Sequence, residues 1–292
     1  MKKLVSIILP SYNYMNYIEV CLLSIYHQTY DNIELVIVDD CSTDRSLEKI
    51  YDTIKKYNFN DRFKKMIFEK NEINHGAHYT INKGIELSSG QYISVINADD
   101  VYEKTRVANM LEELRKTDGD LAFSKVDIID GRGNKLHTDE ANHFRRVSES
   151  IKEKKYVSHA LMYQNCSIST GNLLFKKELY TKLGGFKNYK YVHDWDFLLR
   201  ACLLKEPIYV DNTVYYYRIH SSNSYKDLQG IADVESKAVL TSFFYNIKMG
   251  AQNPALDKNK VKNELSHSWL IKYWNQSNII SYYINKIKFQ IG

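Results

Sequence analysis

A chain of 292 residues, 44% apolar and 26% charged, is long enough to bury a large core, and its composition excludes the disordered and fibrous classes. Its net charge of +5 suits anionic small molecules or an anionic membrane surface. It falls short of the basic stripe of a nucleic-acid binder, so no nucleic-acid partner is expected.

The opening MKKLVSIILP has a basic end and an apolar run too short for a signal-peptide core, and that run stops at Pro10. No stretch reaches the ~18 consecutive apolar residues of a bilayer-spanning helix. Residues 4–9 (LVSIIL), 33–38 (IELVIV), 65–69 (KMIFE) and 92–96 (YISVI) are short, β-branched runs, with helical spacing between them near 17–28, 44–57 and 77–88. The alternation predicts an α/β fold with a Rossmann-like, mostly parallel sheet flanked by helices. Ser42 or Asp44 can cap the second helix. Ligands of such sheets lie beyond the carboxyl ends of the strands. There the first strand runs into Pro10-Ser11-Tyr12-Asn13, the second into Asp39-Asp40 and the fourth into Asn97-Ala98-Asp99-Asp100.

Asp120–Ile129 reads as another strand and DGRGNK after it as a turn. Residues 132–165 form a polar excursion of the kind that builds variable binding walls. Residues 169–175 return to a strand, 177–183 to a short helix ended by Gly184-Gly185, and HDWDFLLRACL from His193 has helical spacing. PIYV and VYYYRIH are strand-like, whereas Val234–Ile247, Val261–Trp274 and Ile279–Ile287 look helical. Cys21, Cys41, Cys166 and Cys202 are scattered, without a Cys-x-x-Cys pair, and read as reduced thiols of a cytoplasmic protein.

Two adjacent acids at the end of an apolar strand either face solvent or await a cation. A divalent metal completed by diphosphate oxygens would neutralise them. Asp39-Asp40 is either a solvated turn or a carboxylate acceptor for a base edge such as the N3 hydrogen of uracil, with Tyr12 against the ring face. Asp194 is either a helix-start carboxylate favoured by the dipole or a proton acceptor. Asp196 and Arg200 are spaced for an intrahelical pair. Arg218 suits phosphate or a surface ion pair.

Five ordered blocks, VSIILPSYN, IELVIVDDCSTD, GAHYTINKGIELSSGQYISVINADD, GNLLFKKELYTKLGGF and HDWDFLLR, resemble the family-2 inverting nucleotide-sugar glycosyltransferases of the GT-A fold over about residues 4–220. The resemblance implies a catalytic domain over 1–225, with its nucleotide-sugar half at about 1–130 and its acceptor half at about 131–225. Residues 226–292 would then be a C-terminal helical extension. It implies a nucleotide-binding set of Pro10, Tyr12, Asp40, Asn82, Asn97 and Asp99, and Mn²⁺ or Mg²⁺ held by Asp99, Asp100 and His220. Asp194 would be the general base. The implied reaction moves a sugar, with inversion, from a UDP-sugar to a hydroxyl of a glycan or lipid-linked glycan in bacterial surface polysaccharide assembly, O-antigen or capsule, at the cytoplasmic face. Teichoic acid or protein glycosylation, or a non-catalytic binder of the same fold, are the alternatives.

Three positions depart from the pattern: Asn97 replaces an acid, His193 replaces a Glu before the base, and Ile81 replaces an Arg. An unshifted Asp titrates near 3.9, so Asp194 is expected to be ionised at neutral pH. The tail YYINKIKFQ mixes aromatics with Lys286 and Lys288, which suggests peripheral contact with the inner membrane.

Overall fold

Val5–Ser11 (β1) and Ile33–Asp39 (β2) are buried along nearly their whole length and pair in parallel, each with a strand on either side, so apolar side chains predominate on both faces. The computed structural model describes residues 2–221, 223 and 228–290. The other strands are Lys65–Lys70 (β3), Tyr92–Val95 (β4), Val101–Tyr102 (β5), Leu121–Ile129 (β6), Leu173–Lys176 (β7) and Ile208–Arg218 (β8). Their order across the sheet is β3-β2-β1-β4-β7-β6-β8-β5. β7 is antiparallel to both β4 and β6, and β5 is antiparallel to β8; the other pairings are parallel. The sheet is therefore mixed, with β7 reversed at its centre.

Alternation along β1 sends successive side chains to opposite faces. Ile7 and Leu9 pack with Ile18, Leu22, Ile50 and Met110, from the helices Ile18–Tyr26, Ser46–Lys56 and Arg106–Lys116. Ile8 faces the other layer, with Ile81 and Ile85 of Ala77–Leu87 and Leu198 of His193–Leu204. The Arg106–Lys116 helix is absent from the sequence-based expectations, although Val107, Met110, Leu111 and Leu114 fall on one helical face. Asp44 Oδ1 accepts the N–H of Ser46 at 2.8 Å as that helix begins, whereas the Ser42 hydroxyl turns to Asp39 and Asn13.

The 132–165 excursion is more ordered than its polarity suggests. It contains the helices Asp139–Glu149 and Val157–Tyr163 and buries Ala141, Ile151, Leu161 and Met162. Thr138 caps the first helix by accepting from Ala141 N at 3.2 Å. The two strand-like runs near 210 merge into β8, with a register shift opposite Ser124 and Lys125. The strand anticipated at 169–175 begins only at Leu173, because Thr170–Asn172 is a 3-10 turn.

Beyond residue 227 lie the helices Gln229–Gly250, Lys258–Leu265, Ile271–Gln276 and Ile279–Gln290. Leu240, Phe244, Leu265 and Trp274 from this region share one continuous core with Ile8, Val36 and Leu198. No helix among the described residues is long and apolar enough to cross a membrane.

Candidate active site

The parallel register places Pro10 opposite Val38, and Ser11 opposite Asp39, while the Ile96 amide bonds to Ile8 O at 3.0 Å. The three polar strand ends therefore meet along one edge. A cleft of about 340 Å³ opens there, lined by Pro10, Tyr12, Tyr14, Asp40, Asn97 and, at its far end, Asp194. Tyr12 stands 42% exposed, with a ring face available to a planar ligand.

Asp40 is buried, unlike the side chain of a solvated turn. Its carboxylate accepts from Asn71 Nδ2 at 2.6 Å, His75 N at 3.0 Å and Gly76 N at 2.8 Å, which ties the end of β2 to the start of the Ala77–Leu87 helix. Gly76 sits at φ +87°, a conformation that glycine adopts without strain. Asn82 is directed elsewhere: its Oδ1 accepts from Phe186 N at 2.9 Å and its Nδ2 donates to Phe186 O at 2.8 Å. Its side chain holds the loop after Gly185 and does not line the cleft.

The two acids of the fourth strand end have different surroundings. Asp100 is fully buried; Oδ1 accepts from Arg218 N at 2.8 Å, and Oδ2 accepts from Asn97 Nδ2 at 3.2 Å and from the Tyr215 hydroxyl. Burial, and then the neighbouring Asp99 charge, hold it well above the usual carboxylate range. Asp99, Asp100 and His220 all lie behind the lining of the cleft, and of the two acids it is Asp100 whose oxygens are both taken up by neighbouring donors. Gly171 is needed beside it, because a Cβ there would run into the Tyr215 hydroxyl. Arg218 is not on the surface: it is buried, its Nε donates to Asp99 O at 2.5 Å and its Nη1 to Asp130 O at 2.8 Å.

Asp99 Oδ2 lies 3.0 Å from His220 Nε2, and Asp99 Oδ1 is buried without a hydrogen-bond partner among the described residues. Tyr17 stacks on His220 at 4.6 Å between centroids, and Tyr14 meets it edge-on. The Asp99 charge, aided by burial, pushes the Tyr14 hydroxyl well up. An orphaned carboxylate oxygen is costly in a protein interior. Together with an adjacent imidazole it fits the needs of a divalent cation, which would take its remaining ligands from a diphosphate and water. Among the described residues no group of three or more His, Cys, Asp or Glu is arranged to hold a metal by itself.

Asp194 opens the His193–Leu204 helix. Its Oδ2 accepts from Asn165 Nδ2 at 2.9 Å and its Oδ1 from Trp195 N at 2.7 Å. Burial pushes it up to about 6, above the ordinary value expected from sequence. His193 beside it is pushed down to about 4 by burial, so the imidazole is neutral near pH 7, with Nε2 at 2.9 Å from the Thr170 hydroxyl. Asp196 forms its i,i+4 pair with Arg200, and Trp195 is core, donating to Leu161 O at 2.8 Å.

A second cavity, of about 390 Å³, adjoins the first, and Ile168, His193, Asp194 and Tyr217 line both. Its other walls carry His143, Phe144, Tyr163 and Tyr191. Ile168 sits at φ +68°, a conformation costing a β-branched residue about 1–2 kcal/mol. Tyr14, Tyr17, Asn165, Ile168 and Tyr217 are absent from the sequence-based set. The aromatic density of PSYNYMNY was a signal for the first two; for Asn165 and Ile168 no local pattern exists.

Structural comparison gives the class. The chain aligns with Staphylococcus aureus TarS 1-349 in complex with UDP over 96% of its length and 76% of that chain, with a TM-score of 0.61 and 16% identity. It aligns with the mannosyltransferase PcManGT from Pyrobaculum calidifontis, in complex with GDP-Man and Mn²⁺, over 99% of its length and 75% of that chain, with a TM-score of 0.63 and 17% identity. The fold is that of the GT-A glycosyltransferases.

In sequence, the chain is 27% identical over 233 residues to the glycosyltransferase GlyG of Streptococcus pneumoniae, covering 76% of this chain and 73% of that one. It is 32% identical over 137 residues to TuaG of Bacillus subtilis, a putative teichuronic acid biosynthesis glycosyltransferase, covering 46% of this chain and 51% of that one. A family model, "Glycosyl transferase family 2", matches residues 6–184, and the chain belongs to that family. It is a glycosyltransferase.

Proposed function

We propose that this enzyme transfers a sugar, with inversion, from a UDP-sugar to a hydroxyl of a glycan or lipid-linked glycan acceptor, in bacterial surface polysaccharide assembly at the cytoplasmic face. The observation that carries this reading is the position of Asp194 in the wall between two adjoining cavities. One cavity runs back to Tyr12 and Asp40 and suits the nucleotide, whereas the other is walled by aromatic rings that suit the apolar faces of sugars. The UDP complex of the similar TarS chain supports the choice of base.

In this reading Tyr12 stacks on the uracil and Asp40, held by Gly76 and Asn71, presents a carboxylate edge to it. Asn97, fixed by the Ser169 hydroxyl at 2.8 Å, offers an amide to the ribose. Asp99 and His220 would hold Mn²⁺ or Mg²⁺ against the diphosphate, with Asp100 supporting Asp99 from below. The ion, when bound, would supply a positive charge to offset the charge developing on the departing UDP.

Asp194 takes the proton of the acceptor hydroxyl as that oxygen attacks the anomeric carbon from the side opposite UDP. With a titration point near 6 it is mostly ionised at pH 7 and a stronger base than an exposed Asp. The Asn165 amide aims it. The direct test is UDP release and product configuration across UDP-glucose, UDP-galactose and their N-acetylated forms with Mn²⁺, with GDP-mannose as control. A thermal shift specific to one UDP-sugar, and turnover lost in Asp194→Asn, are expected. Absence of any UDP binding would overturn the reading.

A further inference from the structure

The helix Ile279–Gln290 has two apolar faces, and the protein covers only one of them. Its inner face packs on the fold: Tyr282 stacks on Tyr245 at 4.6 Å, Asn285 Nδ2 donates to Ala238 O at 3.1 Å, and Phe289 lies 4.5 Å from Tyr189. The opposite face carries Ile280, Tyr283, Ile284 and Ile287, all between 52% and 68% exposed. At 100° per residue these four form one stripe, and Lys286 and Lys288 fall on its two flanks. The sequence contains no Asp or Glu from Leu265 to Gln290. A groove of about 400 Å³ beside the stripe is lined by Lys237, Lys288, Asn278 and Ser281, and among the described residues none of its lining is acidic.

We propose that this outer face docks on an anionic lipid bilayer surface, with Ile280, Tyr283, Ile284 and Ile287 in the headgroup–acyl boundary and Lys286 and Lys288 among the lipid phosphates. An exposed apolar stripe rimmed by lysines is the composition of an interfacial helix. Each lysine contributes further attraction to an anionic leaflet. A second copy of the chain fits less well: a stable dimer takes about 800 Å² from each partner, more than the outer face of one helix about 18 Å long provides. Self-pairing would also bring the lysine flanks of two copies together. This docking stands apart from the donor chemistry and is read by binding alone.

The experiment is co-flotation of the full chain with vesicles of phosphatidylcholine alone and of phosphatidylcholine mixed with phosphatidylglycerol, with donor binding followed in parallel by thermal shift with UDP. Binding to the anionic vesicles only, weakening as salt rises, is expected. Ile284→Asp with Ile287→Asp should abolish it. Lys286→Gln with Lys288→Gln should reduce it roughly tenfold or more. Both variants should keep the wild-type melting temperature and UDP response, because the altered side chains are exposed. No binding to anionic vesicles at low salt, binding indifferent to both variants, or a dimer in solution that Ile284→Asp dissociates would each overturn the proposal.

Discussion

Glu235 accepts the backbone N–H of Val192, the residue immediately before His193 and Asp194, at 3.2 Å, and also those of Tyr191 at 2.8 Å and Lys190 at 2.9 Å. A single buried carboxylate from the helix Gln229–Gly250 thus holds three successive amides where the helix bearing Asp194 begins. The C-terminal helices are tied to the candidate active site, not merely appended to it.

Removing that carboxylate leaves three amides without their acceptor. Glu235→Ala is expected to lower stability by about 2–4 kcal/mol in urea melts. It should reduce kcat more than the KM for donor, since the nucleotide end of the cleft is built on other strands. Glu235→Gln, which keeps one acceptor oxygen, should recover part of both losses. An unchanged kcat in Glu235→Ala would show that the loop holds its place without this contact.

Asp194→Asn keeps the side-chain shape and an acceptor for Trp195 N. Turnover should fall about 10²- to 10⁴-fold, the usual contribution of a general base, while the UDP-induced thermal shift persists. The pH dependence of stability follows from the raised value. Folded Asp194 titrates near 6, against 3.8 when unperturbed, so the native state binds this proton more tightly than the unfolded chain. Its contribution is fully present below about pH 4 and is lost as pH rises through 6, a decline of about 3 kcal/mol. Asp194→Asn should flatten that decline in urea melts taken from pH 4 to 8.

Asn165 lowers the titration point of Asp194 by donating to its ionised form, against the upward effect of burial. Asn165→Ala should therefore move the acidic limb of the kcat profile to higher pH, by about half a unit to one unit. It should also lower the plateau, because the base loses its aim. A limb that stays in place would remove Asp194 from the role of titrating base.

Asp99→Asn keeps the hydrogen-bonding shape beside His220 and removes the charge. The Mn²⁺-dependent part of the UDP thermal shift should disappear, whereas any metal-independent part should remain. Chelation by EDTA should reproduce that result in the unaltered protein. Retention of the full Mn²⁺ response would place the cation elsewhere.

Gly171→Ala tests the support beneath the acids. A Cβ at this position also comes within 2.9 Å of Asn97 N, so neither Tyr215 nor the backbone at Asn97 can keep its place. A loss of about 1–3 kcal/mol is expected, together with weaker UDP binding, measured by calorimetry.

Most strands and helices were legible locally, because burial on two faces demands unbroken apolar runs and burial on one face demands a helical stripe. The Arg106–Lys116 helix carries that stripe too, but its charged residues obscure the period. The rim of the cleft was legible at the strand ends, where Tyr12, Asp40 and Asn97 follow apolar runs directly. The site was not legible where a side chain's role depends on what packs over it. Asn82 and Asp100 sit in motif positions, yet one holds Phe186 and the other lies under Tyr215 and Arg218.

The order of apolar runs and polar strand ends by itself determined the α/β architecture and the edge on which the cleft opens, since alternation and parallel pairing are local consequences of side-chain chemistry. Only the tertiary structure decided which carboxylates remain available. Burial raised the titration point of Asp194, closed Asp100 off and left one oxygen of Asp99 without a partner among the described residues. Proton affinity and ligand access are set by desolvation and by neighbours brought from Asn165, Tyr215 and His220, and no local spacing in the chain encodes those neighbours.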